Sequence, residues 1–262
     1  TEADVEGATG LPVLAVVPSV QRQEPLRLSA DEMKALGSGP GVKEAVLFTE
    51  AFRNLRVSLQ LAGRAHRLAT IMVASPFPGE GKSTVVVNLG LEFGETGQRV
   101  VLADTDFLRP SLHEQLQVRP AESGLVDLLH ARQDVTQTLA PVKDHVWLAT
   151  RGRSLQRETR GMLASERLKE VMVEMSGRAD LVLCDSSPVL LVPETLFVAA
   201  AVDGVILVAL AGVTAYRDLA RAKTMLENAG ARVLGVVINQ MPVARLSRYY
   251  KHYYRGYYKQ TA

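Results

Sequence analysis

The stretch ASPFPGEGKST, residues 74–84, closes an apolar run and opens an amphipathic one. A strand, a glycine-rich turn and a helix in that order make a phosphate cradle. The backbone N–H groups of Gly79, Glu80, Gly81, Lys82, Ser83 and Thr84 face an anion at the helix N-terminus. Lys82 is then placed to reach the β and γ phosphates of a nucleoside triphosphate, and Ser83 to ligate Mg²⁺. The usual pattern has a glycine five residues before Gly81, where this chain has Pro76. A turn without ligand is the alternative, and the coincidence of strand, turn, GKST and helix weighs against it.

A triphosphate site also needs carboxylates for its metal, and two further apolar runs end in them. VVLADTD, residues 100–106, sets Asp104 and Asp106 at the carboxyl end of one strand; LVLCDSSP, residues 181–188, sets Asp185 at the end of another. Ligands of open parallel sheets bind at those ends. Asp185 reads as a carboxylate that acts on the metal from just outside its direct ligands, and Asp104 or Asp106 as a partner to the metal or as the base for an incoming hydroxyl. A lone aspartate after a strand is ordinarily a helix N-cap. Two such strands beside a phosphate loop reverse that preference.

The elements that must hold these groups are legible as an alternation. β-Branched runs at 68–74, 99–103, 145–149, 181–184, 204–210 and 232–238 are separated by amphipathic stretches such as 83–96, 163–175 and 215–229. Continuous apolar strands between helices imply a parallel sheet covered on both faces. The expectation is an α/β, doubly wound domain over residues 44–240. Before it lies a segment, 1–43, whose residues 21–41 read as a linker, and after it a basic tail, 241–262.

The chain of 262 residues is 47% hydrophobic, enough for one large core. Its formal charge of +2 conceals a split, because Arg245, Arg248, Lys251, Arg255 and Lys259 stand in a tail without acids and leave −3 on the preceding residues. The basicity belongs to the tail, so a nucleic-acid-binding body is not implied. The single cysteine, Cys184, excludes an intramolecular disulfide framework and fits a reducing compartment as core ahead of Asp185. His113, His130 and His145 lack ligand spacing, so zinc is unsupported. The apolar region 189–212 is broken by Pro193, Glu194, Asp203 and Gly204 into runs too short to span a membrane, and reads as a helix followed by a strand. The chain opens on Thr1 with no signal-peptide pattern and reads as a piece of something longer.

Six of the seven tyrosines lie in RYYKHYYRGYYK, residues 248–259. On a helix, Tyr249, Tyr253 and Tyr257 would form one row and Tyr250, Tyr254 and Tyr258 the next, a basic-edged stripe suited to an anionic membrane surface. Gly256 weakens that helix, and no Leu or Ile shares the stripe.

Taken together, SPFPGEGKST, VVLADTDFLRPSL, DLVLCDSSPVLLVPETL and the tyrosine-rich end resemble the bacterial tyrosine kinases that form cytoplasmic domains of capsule and exopolysaccharide co-polymerases. The resemblance covers nearly the whole chain. GLPVLAVVPSV, residues 10–20, is similar to the segment that follows the second membrane span in single-chain members, and MLASERLKEV and AGARVLGVVINQ match in place. EAFRNLR, residues 50–56, matches the family's ExxRxxR oligomerisation motif; by itself it is a helical Glu–Arg pairing of small energetic effect.

The resemblance implies a P-loop NTPase fold with ATP and Mg²⁺ as cofactors. It implies nucleotide binding by Lys82 and Ser83, a second Walker-like motif at Asp104 and Asp106, and Asp185 as the Walker B acid. Asn239 would approach the adenine, and Glu50, Arg53 and Arg56 would meet a neighbouring subunit in a ring. The six tail tyrosines would be phosphorylated by that neighbour, regulating polysaccharide polymerisation and export through assembly and disassembly. Further implied partners are a membrane-spanning co-polymerase part and a phosphotyrosine phosphatase, at the cytoplasmic side of the bacterial inner membrane. Two departures stand out: Leu108 where the family's D-x-D-x-R has arginine, with Arg109 one place later, and Ser187 where Walker B has proline. The rivals are an ATP-binding scaffold that gates export and an ATPase switch of the septum-placement or chromosome-partition class. The switch carries a signature lysine where this chain has Phe77.

Overall fold

The computed structural model describes residues 1–20, 40–64, 66–120, 123–130, 134–152 and 159–246. Most of the expected linker and all six tail tyrosines lie outside them. In chain order the elements are α1 (Glu2–Thr9), β1 (Val13–Pro18), α2 (Pro40–Ala62), β2 (Thr70–Ala74), α3 (Lys82–Gly94), β3 (Val100–Asp104), α4 (Leu112–Gln115) and α5 (Leu125–His130). There follow β4 (Leu139–Lys143), β5 (Val146–Ala149), α6 (Thr159–Leu163), α7 (Glu166–Arg178), β6 (Leu181–Asp185), α8 (Thr195–Ala200), β7 (Gly204–Leu210), α9 (Tyr216–Asn228) and β8 (Val233–Met241). The strands form one sheet in the order β1-β8-β7-β2-β6-β3-β5-β4, and every pairing is parallel except that of β4 with β5.

Alternation along the central strands explains the two layers of helices. Met72, Ala74, Val101, Ala103, Val182 and Cys184 face a core shared with α1, α5, α7, α8 and α9. Ile71, Val73, Val100, Leu102, Leu181 and Leu183 face the opposite core, built on α2 and α3. Both faces of these strands are therefore buried, which is why their sequences are continuous apolar runs. Trp147 on β5 is half-buried against the first core. Among the described residues no helix is long and apolar enough to cross a membrane.

All six expected strands are present, and two more were not read. β4, LAPVK, is a half-exposed antiparallel edge whose Pro141 obscures its pattern. β1 joins the far edge, pairing Val13 with Val236, and α1 packs on α9, so α1 and β1 belong to the same packed domain. The helix expected over 163–175 is two: Ser165 takes an extended backbone, φ −91° and ψ 160°, and starts α7 there.

Candidate nucleotide and metal site

The site lies where β2, β6 and β3 end side by side. The turn after β2 passes through Gly79 and Gly81 at φ 79° and 95°, a region that only glycine enters freely. A Cβ on Gly81 would also stand 1.9 Å from Nδ2 of Asn239. α3 then begins at Lys82 with no side-chain cap, leaving the N–H groups of its first turn for an anion. The turn is braced from beneath. Glu80, 3% exposed, accepts from the Phe77 N–H at 2.8 Å and from the Thr214 hydroxyl, while Asn239 Nδ2 donates to the Glu80 carbonyl at 2.9 Å. The Glu80 side chain thus serves the loop itself, and Asn239, at the end of β8, is fastened to it.

Three carboxylates converge opposite Lys82. Register pairs Asp104 on β3 directly with Asp185 on β6, so two buried acids are adjacent by strand geometry alone. Asp185 accepts from the Ser83 hydroxyl, whose oxygen also accepts from Ser111 Oγ at 3.0 Å. Asp104 Oδ2 accepts from the Ser111 and Leu112 N–H groups at 3.0 and 3.1 Å, capping α4; its Oδ1 is buried without a partner. Asp106 Oδ1 accepts from the Ser187 hydroxyl at 2.6 Å and from the Arg109 N–H at 3.0 Å. Thr105 donates to the Asp185 carbonyl through both its N–H and its hydroxyl, locking the two loops together.

Charge in this cluster is expensive in the absence of a cation. Burial, then the neighbouring Asp185, pushes the Asp104 carboxyl up to about 8. Burial pushes Asp185 up to about 6, against the Ser83 hydrogen bond and the Lys82 charge, which lower it. The raised carboxyls of Asp104 and Asp185 and the unpartnered Asp104 oxygen fit a site that binds a cation. The hard oxygen donors Ser83, Asp106 and Asp185 suit Mg²⁺. Among the described residues no three His, Cys, Asp or Glu side chains form a ready-made metal cage.

A stability consequence follows. Because the folded pKa of Asp104 lies above its unfolded value, the native state holds its proton longer, and stability declines as pH rises from about 4 to about 8. Asp104→Asn is expected to raise the melting temperature of the nucleotide-free protein by about 4–8 °C at pH 8.5, on the order of 2 kcal/mol, and hardly at all at pH 4. Calorimetry at the two pH values checks this.

Other expected site residues fall elsewhere. Leu108 and Arg109 are exposed at the rim, while Arg151, from the end of β5, donates to the Phe107 carbonyl at 3.2 Å. Ser187, a departure in sequence, fastens the Asp106 loop. On α2, Arg53 bonds Glu50 within the helix and is half exposed, whereas Arg56 turns inward to Glu92 of α3 at 3.3 Å. Ser111, Thr214 and Arg151 escaped sequence reasoning because each acts across a long chain separation. Cys184 is fully buried and its thiol is pushed up to about 12, so it is inert.

A glycine-rich strand-to-helix turn, its lysine and strand-end aspartates at the centre of a parallel sheet define a P-loop nucleotide-binding protein. The sequence profile of the family described as ParA, NUBPL iron-transfer P-loop NTPase, matches residues 67–255, and the chain belongs to that family. It is also 29% identical over 213 residues to the tyrosine-protein kinase YwqD of Bacillus subtilis (strain 168), covering 81% of this chain and 86% of the relative. With the tyrosine-protein kinase wzc of Salmonella typhimurium it shares 27% identity over 95% of its own length, which is 35% of that longer protein. Among solved structures it resembles the BceF tyrosine kinase domain, with a TM-score of 0.75 and 26% identity over 92% of this chain and 98% of the other.

Proposed function

We propose that the chain is an ATP- and Mg²⁺-dependent protein-tyrosine kinase that phosphorylates Tyr249, Tyr250, Tyr253, Tyr254, Tyr257 and Tyr258 of a neighbouring copy. The observation that carries the reading is the buried trio Asp104, Asp106 and Asp185 facing the phosphate cradle. An ATP switch needs carboxylate for its metal, whereas a second, adjacent acid poised near neutral pH suits removal of a proton from a hydroxyl. The relatives named as tyrosine kinases support the same assignment.

In this reading the first turn of α3 and Lys82 hold the β and γ phosphates, and Asn239, through the loop it fastens, approaches the adenine. Ser83, Asp106 and Asp185 hold Mg²⁺, which supplies positive charge to the transferring phosphoryl group. Asp104 accepts the phenol's proton, aided by a pKa close to the working pH. Lys82 stabilises charge on the leaving β-phosphate oxygens. The family's iron-transfer description fits less well, since a lone buried cysteine offers no pair of thiolates. Phe77, in place of the signature lysine, argues against the septum-placement class of switch, and an ATP-binding scaffold gating export remains the alternative outcome of the test.

Around this chemistry we place a ring of copies joined through Glu50 and Arg53, a membrane-spanning co-polymerase part, a phosphotyrosine phosphatase and a position at the cytoplasmic face of a bacterial inner membrane. Phosphorylation of the tail would release the ring and regulate capsular or exopolysaccharide export. The inward turn of Arg56 divides the interface test. Arg53→Glu is expected to dissolve the assembly with little change in melting temperature, whereas Arg56→Ala removes a partner from the buried Glu92 and costs about 2 kcal/mol of stability. Light scattering with Mg·ATP and a thermal scan separate the two effects. The kinase reading itself is tested by incubating the chain with Mg·ATP and mapping phosphate on its C-terminal peptides by mass spectrometry. Nucleotide turnover with no phosphotyrosine would leave the scaffold or switch.

A further inference from the structure

We propose that Thr214, on the turn between β7 and α9, is a positioning residue of the nucleotide site. Its hydroxyl, acting through the Glu80 carboxylate, holds the phosphate cradle in its anion-binding shape before nucleotide arrives and so sets the affinity for Mg·ATP. This rests on the nucleotide-binding part of the reading above and is independent of the group that receives the phosphate.

Glu80 creates the need for such a residue. It stands between Gly79 and Gly81, in the loop assigned to a triphosphate, where a carboxylate opposes the anion the loop must receive. The fold buries it with both oxygens engaged: Oε2 accepts from the Phe77 N–H at 2.8 Å, and Oε1 accepts from the Thr214 hydroxyl. The first bond closes the turn 77–80 on itself. The second ties that turn to the loop that follows β7.

Thr214 is itself held. Its hydroxyl oxygen accepts from the Leu210 N–H at 2.8 Å, and its own N–H donates to the Leu210 carbonyl at 3.0 Å, across a turn that includes Gly212 at φ 75°. Leu210 is paired with Asn239 of β8, the Ala211 N–H donates to the Asn239 carbonyl at 2.9 Å, and the Asn239 amide returns to the Glu80 carbonyl. The circuit thus runs from Glu80 through Thr214, Leu210 and Asn239 back to Glu80, and grips one loop residue by both its side chain and its carbonyl. A loop fixed at two points has less freedom to lose when a ligand binds, and the difference appears as affinity. Without the hydroxyl, the Glu80 carboxylate and the Leu210 N–H each lose a partner, and the carboxylate is free to turn toward the phosphates.

The test is Thr214→Val in the full chain, which keeps the shape of the side chain and removes the hydroxyl. Calorimetric titration with Mg·ATP is expected to show affinity weakened about tenfold, while turnover at saturating Mg·ATP stays within about twofold. Thr214→Ser, which restores the hydroxyl, should recover the affinity to within about threefold of the original. Glu80→Ala should weaken binding by a similar factor, and the double variant no further than the weaker of the two, because both substitutions open the same circuit. Tyr216→Phe, two residues on, deletes a hydroxyl that bonds Asp4 of α1 and should leave the titration unchanged. Hydrogen exchange in the nucleotide-free protein gives a reading that needs no ligand: the Phe77 amide should exchange about tenfold faster in Thr214→Val and return to its original rate in Thr214→Ser. Unchanged affinity in Thr214→Val, unchanged exchange, or losses that add in the double variant would each overturn the proposal. The expected shifts in a chain that places no phosphate on tyrosine would uphold it and remove the kinase reading.

Discussion

Lys82→Met is expected to reduce phosphotransfer by about 100- to 1000-fold or more while the protein stays folded. The lysine opens α3, where methionine is equally compatible with a helix, and the anchoring of that helix comes from Val85, Val86, Leu89 and Phe93 in the core. What disappears is a buried ammonium beside the aspartates and the phosphate cradle. Its charge also lowers the Asp185 carboxyl, so the variant should bind Mg²⁺ less well at neutral pH and recover part of that binding as pH rises. Autophosphorylation and circular dichroism measured on the same sample distinguish lost chemistry from lost structure; undiminished activity in the folded variant contradicts the site.

Asp185→Asn should have an effect of similar size by another route. Asp185 is 1% exposed and holds the Ser83 hydroxyl in place, so the substitution removes both a metal-directed charge and the group that orients a metal ligand. Turnover is expected to fall about 100-fold, with a rise in the Mg²⁺ concentration needed for half-maximal activity. Asp104→Asn should lose turnover while leaving that Mg²⁺ requirement nearly unchanged, because its assigned task is the proton. A Mg²⁺ titration of ATP-analogue binding and of activity in both variants reads the difference. Equal Mg²⁺ profiles would mean that the two acids do not divide the work in this way.

The contrast between Asp104 and Asp185 also shows how far sequence could reach. Each was visible as an acid ending an apolar run, and GKST after a strand located the cradle. Their adjacency was not visible, because β3 and β6 are neighbours only through sheet order, with β4 and β5 inserted between them in the chain. The same limit hid Ser187 on Asp106, Thr214 on Glu80 and Asn239 beneath Gly81, all of them hydrogen bonds across many intervening residues. Arg56 read as an outward partner of Glu50 and Arg53 by helical spacing, yet a step of six residues carries it round the helix toward α3, where Glu92 lies. β1 was short, ended in proline and stood apart from the alternating strands and helices, so its place at the sheet edge depended on β8, more than 200 residues away. Leu108 and Ser187 looked alike as departures from a motif. In the structure one is an exposed apolar group at the rim of the site, and the other is a hydrogen-bond donor to Asp106.

The most direct test of tyrosine phosphorylation between copies is a mixing experiment. Lys82→Met protein with its tail intact is combined with active protein whose six tail tyrosines are phenylalanine, and Mg·ATP labelled at the γ phosphate is added. Neither protein can label itself: one lacks the lysine and the other lacks an acceptor in its tail. The account predicts label on Tyr249, Tyr250, Tyr253, Tyr254, Tyr257 or Tyr258 of the Lys82→Met partner, faster at low ionic strength because the basic segment is drawn to an acidic site. Mixed assemblies that form, hydrolyse ATP and leave the Lys82→Met tail unlabelled would contradict it.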